Sequence, residues 1–170
     1  MTIAPSEFED AYQAEDEGIR GAIFRGPIRS LEPSVPVCVG PTTPLRDAIR
    51  AMNEAHVGCV LVTEGPRMLG IFTERDVLKK VVGKIDLGAA VEAVMTRDPE
   101  TVGLEDGIAY ALNKMHVGGY RHIPVVHKNG SPAGIVSVRD FVEFIVSLFP
   151  AGALNLPPEA RLEAHELDGG

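Results

Sequence analysis

Hydrophobic residues recur with helical spacing in two places, and the surroundings of the two places match. Leu45, Ala48, Ile49 and Met52 stand at i, i+3, i+4 and i+7, and Ile108, Ala111, Leu112 and Met115 repeat the pattern, the mark of a helix with one apolar face. Each helix is preceded by a short strand, between Val37 and Val39 or at Thr101-Val102. Each is followed by a continuous apolar run, "CVLV" or "IPVV", which reads as a buried strand. Gly65-Pro66 ends the first run and Asn129-Gly130 follows the second. Asn-Gly is a strong hairpin signal, so a second strand returns and ends near Phe72 or Val136. The unit closes on "DVLKKVV" or "DFVEFIV", apolar on most faces, which predicts a helix buried against something else.

The order strand–helix–strand–strand–helix therefore occurs twice, and the residues agree in detail. At an offset of 63, Pro36 meets Pro99, Val39-Gly40 meets Val102-Gly103, Ala48 meets Ala111 and Met52 meets Met115. One extra residue in the second copy then moves the offset to 64, where "GIFTERD" at 70–76 meets "GIVSVRD" at 134–140. A repeat of about 60 residues buries only about 60% of its surface and is marginal alone. The two copies are expected to pack as one α/β unit, with repeats at 28–83 and 86–149. An acidic extension over 1–27 and a Pro- and Gly-containing tail over 150–170 flank them.

Composition narrows the picture. Apolar residues make up 45% of the 170 and aromatic residues only 5%, with no Trp, so aliphatic packing dominates the expected core. The net charge of −8 lies in the arms: residues 1–20 carry −5, residues 151–170 carry −3, and the body between them is neutral. A neutral body without aromatic platforms has no electrostatic footprint for nucleic acid. "MTIAPSEFED" has neither a basic leader nor an apolar stretch, and "FVEFIVSLF", interrupted by Glu143, is too short to span a bilayer. A soluble cytoplasmic protein is the expectation.

The candidate chemistry sits in the repeated phrase. Thr73-Glu-Arg-Asp76 and Ser137-Val-Arg-Asp140 both fit the capping box, in which a hydroxyl and an acid three apart satisfy the first amides of a helix. Capping alone accounts for these residue types. The same atoms also suit a ligand, since a carboxylate fixed at a helix start can accept hydrogen bonds from two vicinal hydroxyls of a ribose. The glycine opening the strand leaves space for another backbone or a flat base. In the second copy Arg121 and His122 form a compact basic pair fit for phosphate, where the first copy has Val57-Gly58. Signs of an enzyme are missing: there is no G-x-S-x-G elbow, P-loop or G-x-G-x-x-G. His122 and His127 are expected on opposite faces of one strand, and Cys38 and Cys59 read as core residues.

The ordered set "MTRDPETV", "YRHIPVVHKNGSPAGIVSVRD" and "GIFTERDV" resembles a tandem pair of CBS domains, named for cystathionine β-synthase, over about residues 28–148. The resemblance implies a pseudo-twofold module with two clefts between the repeats, which commonly forms homodimers. It implies adenosyl ligands, AMP first, then ADP or ATP, and less often S-adenosylmethionine or a dinucleotide. It also implies a regulatory role, passed to an unidentified effector protein through ligand-dependent packing of repeats or protomers. In one cleft it places Asp76 and Thr73 on the ribose, Ile71, Thr101 and Val102 about the adenine, and Arg121, His122 and Arg139 on the phosphate. In the other it places Asp140 and Ser137 on the ribose, Ile135, Val37 and Val39 about the base, and Arg75 as the available cation. The first cleft is then expected to bind the phosphorylated nucleotide more tightly. The first repeat departs from the pattern at Pro33, which stands where Thr96 stands in the second, and at Val57-Gly58. The competing expectation is a ligand-free dimerisation scaffold in which both boxes serve only as caps.

Overall fold

The computed structural model describes residue 21 and residues 25–148. The acidic extension and the tail lie almost wholly outside the described residues. The first repeat supplies β1 (Cys38–Val39), α1 (Leu45–Glu54), β2 (Cys59–Glu64), β3 (Arg67–Thr73) and α2 (Glu74–Asp76), the last running on as a π-helical turn over Val77–Val81. The second supplies β4 (Thr96–Arg97), β5 (Val102–Gly103), α3 (Ile108–Gly118), β6 (His122–Val126), β7 (Pro132–Ser137) and α4 (Val138–Ser147). The helices form where the periodicity places them. Leu45, Ala48 and Met52 of α1 and Ile108, Ala111 and Met115 of α3 are the side chains buried. Two sheets result, ordered β1-β2-β3-β4 and β5-β6-β7, with the first pair of each parallel and the hairpins antiparallel.

The two repeats are built from each other's leading segments. A 3-10 turn at Ile28–Leu31 opens the first repeat, yet Ile28 and Leu31 pack in the second core with Val102, Ile108, Met115 and Ile123. The matching turn at Val91–Ala93 leads into the second repeat, yet Val91, Val94 and Met95 pack in the first core with Leu45, Met52, Val60 and Phe72. The backbone follows the same symmetry. Ile28 N donates to Asp106 O at 2.8 Å as Val91 N donates to Thr43 O at 2.8 Å, and Ile108 N donates to Gly26 O as Leu45 N donates to Ala89 O. Further along, β4 pairs with β3, and Ser34 pairs with Ile135 of β7. Each fully buried aliphatic side chain is worth about 1.5–3 kcal/mol, so the exchanged residues of each turn carry a large share of the other core's stability. Each core is completed by side chains of its neighbour's leader.

This crossing explains the glycine of the repeated phrase. A Cβ on Gly70 would stand 2.6 Å from the Thr96 carbonyl oxygen and 2.7 Å from Met95 Sδ, and one on Gly134 would stand 2.6 Å from Pro33 Cβ. Of the two occupants the sequence suggested, another backbone is the one present. Pro33 and Thr96, the first departure between the repeats, occupy matching places over these glycines.

Three expectations need correction. The extra residue of the second copy lies in the hairpin turn, which spans 64–67 between Thr63 and Met68 but 127–131 between Val126 and Pro132. The offset of 63 therefore holds through β6, and the counterparts of Arg121-His122 are Gly58-Cys59, not Val57-Gly58. The wider turn is held by Asn129 Oδ1, which accepts from Ser131 N and Oγ, and it takes up His127, so the two histidines do not share the strand. Last, the closing helices bury one stripe only. Val81 and Phe141 are 2% exposed, whereas Leu78 is 73% and Val142 52% exposed.

The crossing sets a test. Gly134→Ala and Gly70→Ala should each destabilise the fold by about 1–3 kcal/mol, the usual cost of overpacking. Gly40→Ala, whose Cβ would meet only Thr43 Oγ1 at 3.7 Å, should leave the midpoint nearly unchanged. Urea unfolding of the three variants checks this, and equal midpoints would show that the leaders do not lie over these glycines.

Candidate functional site

Both repeated phrases form complete capping boxes. Thr73 and Ser137 are extended, with φ −125° and −116°, and each ends a hairpin strand just before a helix. Asp76 Oδ2 accepts from Thr73 N at 3.0 Å and Thr73 Oγ1 at 2.7 Å. Asp140 Oδ2 accepts from Ser137 N at 2.6 Å and Ser137 Oγ at 2.7 Å. One carboxylate oxygen is thus committed to the cap in each copy. The fate of the other differs. Asp76 Oδ1 is paired at 2.7 Å with Lys80, four residues along the same helical turn. Phe144 stands four residues beyond Asp140, and no cation pairs with Asp140 among the described residues.

Each box opens onto a cleft at the junction of the repeats. The first cleft, of about 410 Å³, gathers Ile71, Thr73 and Asp76 on one side and Tyr120, Arg121 and His122 on the other. The second, of about 880 Å³, gathers Ile135, Ser137 and Asp140 on one side and Asn53, His56 and Gly58 on the other. Both volumes fall in the range of small-molecule sites. Arg121 and His122 line both clefts, so the pair does not by itself favour the first.

The remaining expected residues are placed differently. Arg139 lies in the second cleft, beside Asp140, with its Nε donating to Glu143 at 2.7 Å. Arg75 lies in the first, beside Asp76, with Nη1 donating to Gly119 O at 2.6 Å. The two arginines have thus changed places relative to the expected assignment, because each stays at the start of the helix that carries its own aspartate. Val102 is 1% exposed in the second core, and Val37 and Val39 pack on the first. None of these three, nor the half-buried Thr101, lines a cleft. The exchanged leaders stand there in their place, with Thr96, Asp98, Pro99 and Glu100 in the first cleft and Ser34 in the second.

Several lining groups were not singled out in the sequence. Glu74 reaches both clefts, and Tyr120 and His56 line one each. Lys80, which lines neither cleft but pairs with Asp76, had a readable signal, since an acid four residues before a lysine on a helix forms an ion pair. Gly58 had none. Its missing Cβ leaves room for the His122 ring, whose Cε1 would otherwise stand 2.9 Å away.

Burial sets the protonation of the buried groups. His122 is held below the ordinary histidine value, first by burial and then by Arg121, while Glu74 and Asp140 oppose the shift. It is therefore mostly uncharged at neutral pH, and an anion beside it would favour its protonation. Burial, aided by Glu74, pushes the Cys59 thiol up to about 12, which leaves it an unreactive core residue. Among the described residues no group of His, Cys, Asp and Glu is arranged to hold a metal ion, and no helix is long and apolar enough to cross a membrane. What the clefts offer is recognition: a carboxylate acceptor, convergent cations and an aliphatic floor.

Comparison with known proteins agrees with this architecture. The sequence profile of the CBS domain matches residues 28–83 and again residues 91–147. A CBS domain-containing protein of Arabidopsis thaliana is 32% identical over 146 residues, covering 82% of this chain. The chain spans about a quarter of that relative, 26% of its length. A CBS domain protein of Pyrobaculum aerophilum, solved in complex with AMP, superposes with a TM-score of 0.66 at 27% identity, covering 72% of this chain and 97% of that one. A CBS-domain-containing protein of Agrobacterium tumefaciens superposes with a TM-score of 0.64 at 32% identity, covering 69% and 97%. With its profile matched twice, its leaders exchanged and its clefts at the junction, the chain belongs to the CBS domain family and carries a tandem pair of these domains.

Proposed function

We propose that the chain is a regulatory module that binds an adenosine nucleotide, AMP first among them, in the clefts between its repeats. The observation that carries this reading is the coincidence, in each cleft, of a capping-box aspartate with the Arg121-His122 pair. A nucleoside monophosphate needs an acceptor for its ribose diol and cations for its phosphate; the pair faces Asp76 from the other repeat in the first cleft, and in the second it stands beside Asp140, at the start of the strand paired with that of Ser137. The AMP complex of the Pyrobaculum aerophilum relative adds support. The reading assigns no catalytic residue.

Ligand in either cleft touches both repeats, so its binding energy enters their packing, and a change of packing is the signal we assign to the module. A second copy is the partner we assign to the apolar side chains left exposed on the closing helices, Leu78, Val82, Val142 and Val146. An effector protein would read the result. A capping-only scaffold is the second reading, favoured by the completeness of both boxes without any ligand.

Calorimetric titration of the dialysed chain with AMP, ADP, ATP, NAD and S-adenosylmethionine separates the two readings. AMP should bind, and the Arg121→Ala, His122→Ala double variant should bind it about a hundredfold more weakly, since charge-assisted hydrogen bonds contribute about 1.5–3 kcal/mol each. No heat from any ligand, with the protein confirmed free of co-purified nucleotide, would leave the scaffold standing.

The state of His122 gives a second test. Its folded value lies below its unfolded one, so the unfolded chain binds more protons and stability falls as pH drops through about 6.5. A bound phosphate has the opposite effect on affinity, because it favours the imidazolium. Between about pH 8 and pH 6, AMP binding to the wild type should take up a fraction of a proton more than binding to His122→Gln. Titrations in buffers of different ionisation enthalpy measure that difference, and equal uptake would remove His122 from the phosphate site.

A further inference from the structure

The two aspartates occupy equivalent positions but differ in what they still have to give. A carboxylate has two oxygens and about four lone-pair directions. Asp76 uses Oδ2 for the cap and Oδ1 for Lys80, and is only 8% exposed. Lys80 is itself fixed from a second side, where Nζ donates at 2.8 Å to the carbonyl of Val94. Val94 belongs to the exchanged leader, two residues before Thr96 of the first cleft's wall. A diol approaching Asp76 must therefore displace an ammonium held at both ends, or use the lone pairs it leaves.

Asp140 carries the same cap on Oδ2, with Phe144 where Lys80 would stand, and its Oδ1 has no partner among the described residues. The surrounding charge points the same way. Glu74, Asp98 and Glu100 line the first cleft with Asp76, against Arg75 and the shared pair, and Glu100 is already paired to Lys114. The second cleft sets Arg139 and the shared pair against Asp140, Glu74 and Glu143, one carboxylate fewer.

Building on the nucleotide reading above, we propose that Lys80 is the residue that discriminates between the clefts. It occupies Asp76 as an internal substitute for the ribose, and thereby directs adenosine nucleotide to the larger cleft of Asp140. The first cleft is a reserve site, open to nucleotide only when Lys80 is released.

The test is calorimetric titration of the full chain with AMP, in the wild type and in the variants Asp76→Asn, Asp140→Asn, Lys80→Met and Lys80→Arg, each first shown by thermal melting to be folded. The wild type should bind one AMP per chain with high affinity. Asp140→Asn should weaken that binding by about tenfold or more, the worth of charged hydrogen bonds to a diol, and Asp76→Asn should change it by less than about twofold. Lys80→Met should gain a second binding event that Asp76→Asn then removes, while Lys80→Arg keeps the cation and should stay at one. Loss of binding in Asp76→Asn with retention in Asp140→Asn would overturn the proposal, as would a Lys80→Met variant that folds and gains no second site. The two aspartate variants decide the matter even where Lys80→Met does not fold. Silence from every protein is a different result: it removes the nucleotide reading itself, and this inference with it.

Discussion

The architecture depends on two backbone crossings related by the internal pseudo-twofold. At each, the leader of one repeat runs over a glycine in the hairpin of the other, Thr96 over Gly70 and Pro33 over Gly134, with separations that leave no space for a methyl group. The crossings place Ile28 and Leu31 in the second core and Val91, Val94 and Met95 in the first. They also determine what the clefts are made of, since a leader that crosses to the neighbour becomes a wall at the neighbour's helix start. Pairing across repeats is non-local and carries a loop-closure cost, and the buried leader side chains offset it.

A symmetric scaffold would make two identical sites, and besides the Pro33/Thr96 difference the chain departs from symmetry at three points with separate physical causes. The Gly58-Cys59 pair stands where the second repeat has Arg121-His122, and the absent Cβ of Gly58 admits the His122 ring toward the axis. One basic pair therefore lines both clefts. The hairpin of the second repeat has one more residue, absorbed in a turn away from the clefts, so their geometry is unaffected. The closing helix of the first repeat widens into a π turn, where Val82 N donates to Val77 O at 3.0 Å. That turn carries Lys80. Such widened turns are frequent at functional positions, and here it accompanies the side chain that separates the chemistry of the two aspartates.

Much of this was legible because the signals are local. Helix faces, hairpin strands and capping boxes depend on residues fewer than about eight apart, and each was found where spacing placed it. The crossings were not legible. Ile28 and Leu31 look the same in sequence whether they pack on their own repeat or on the other. The placement of Arg75 and Arg139 failed for a related reason: the resemblance supplied pairings between repeats, while the first turn of each helix holds arginine and aspartate together on one rim. The one-residue error at Arg121-His122 came from aligning on the repeated phrase, which lies beyond the turn that absorbs the insertion. Val102 reads as a cleft residue only until its side chain is seen buried in the second core.

The site and the fold share their parts, and under the proposed function this is how a ligand would reach the packing of the repeats. Asp76 caps a helix, holds Lys80, and through Lys80 reaches the Val94 carbonyl of the crossing leader. Any group that competes for the Asp76 carboxylate competes with a bond that ties one repeat to the other. The cap on Oδ2 can persist while Oδ1 changes partner, so the helix need not unravel. A ligand shifts a conformational equilibrium only by its difference in affinity between states, and here that difference has a structural source: the state in which Lys80 has left Asp76 is the one that offers the carboxylate. Among the described residues no such tie runs through Asp140, which lines the second cleft with its second oxygen unpaired. On the proposed reading the two sites divide the work, one open to a ligand at little structural cost and one whose occupation would loosen the joint between the repeats.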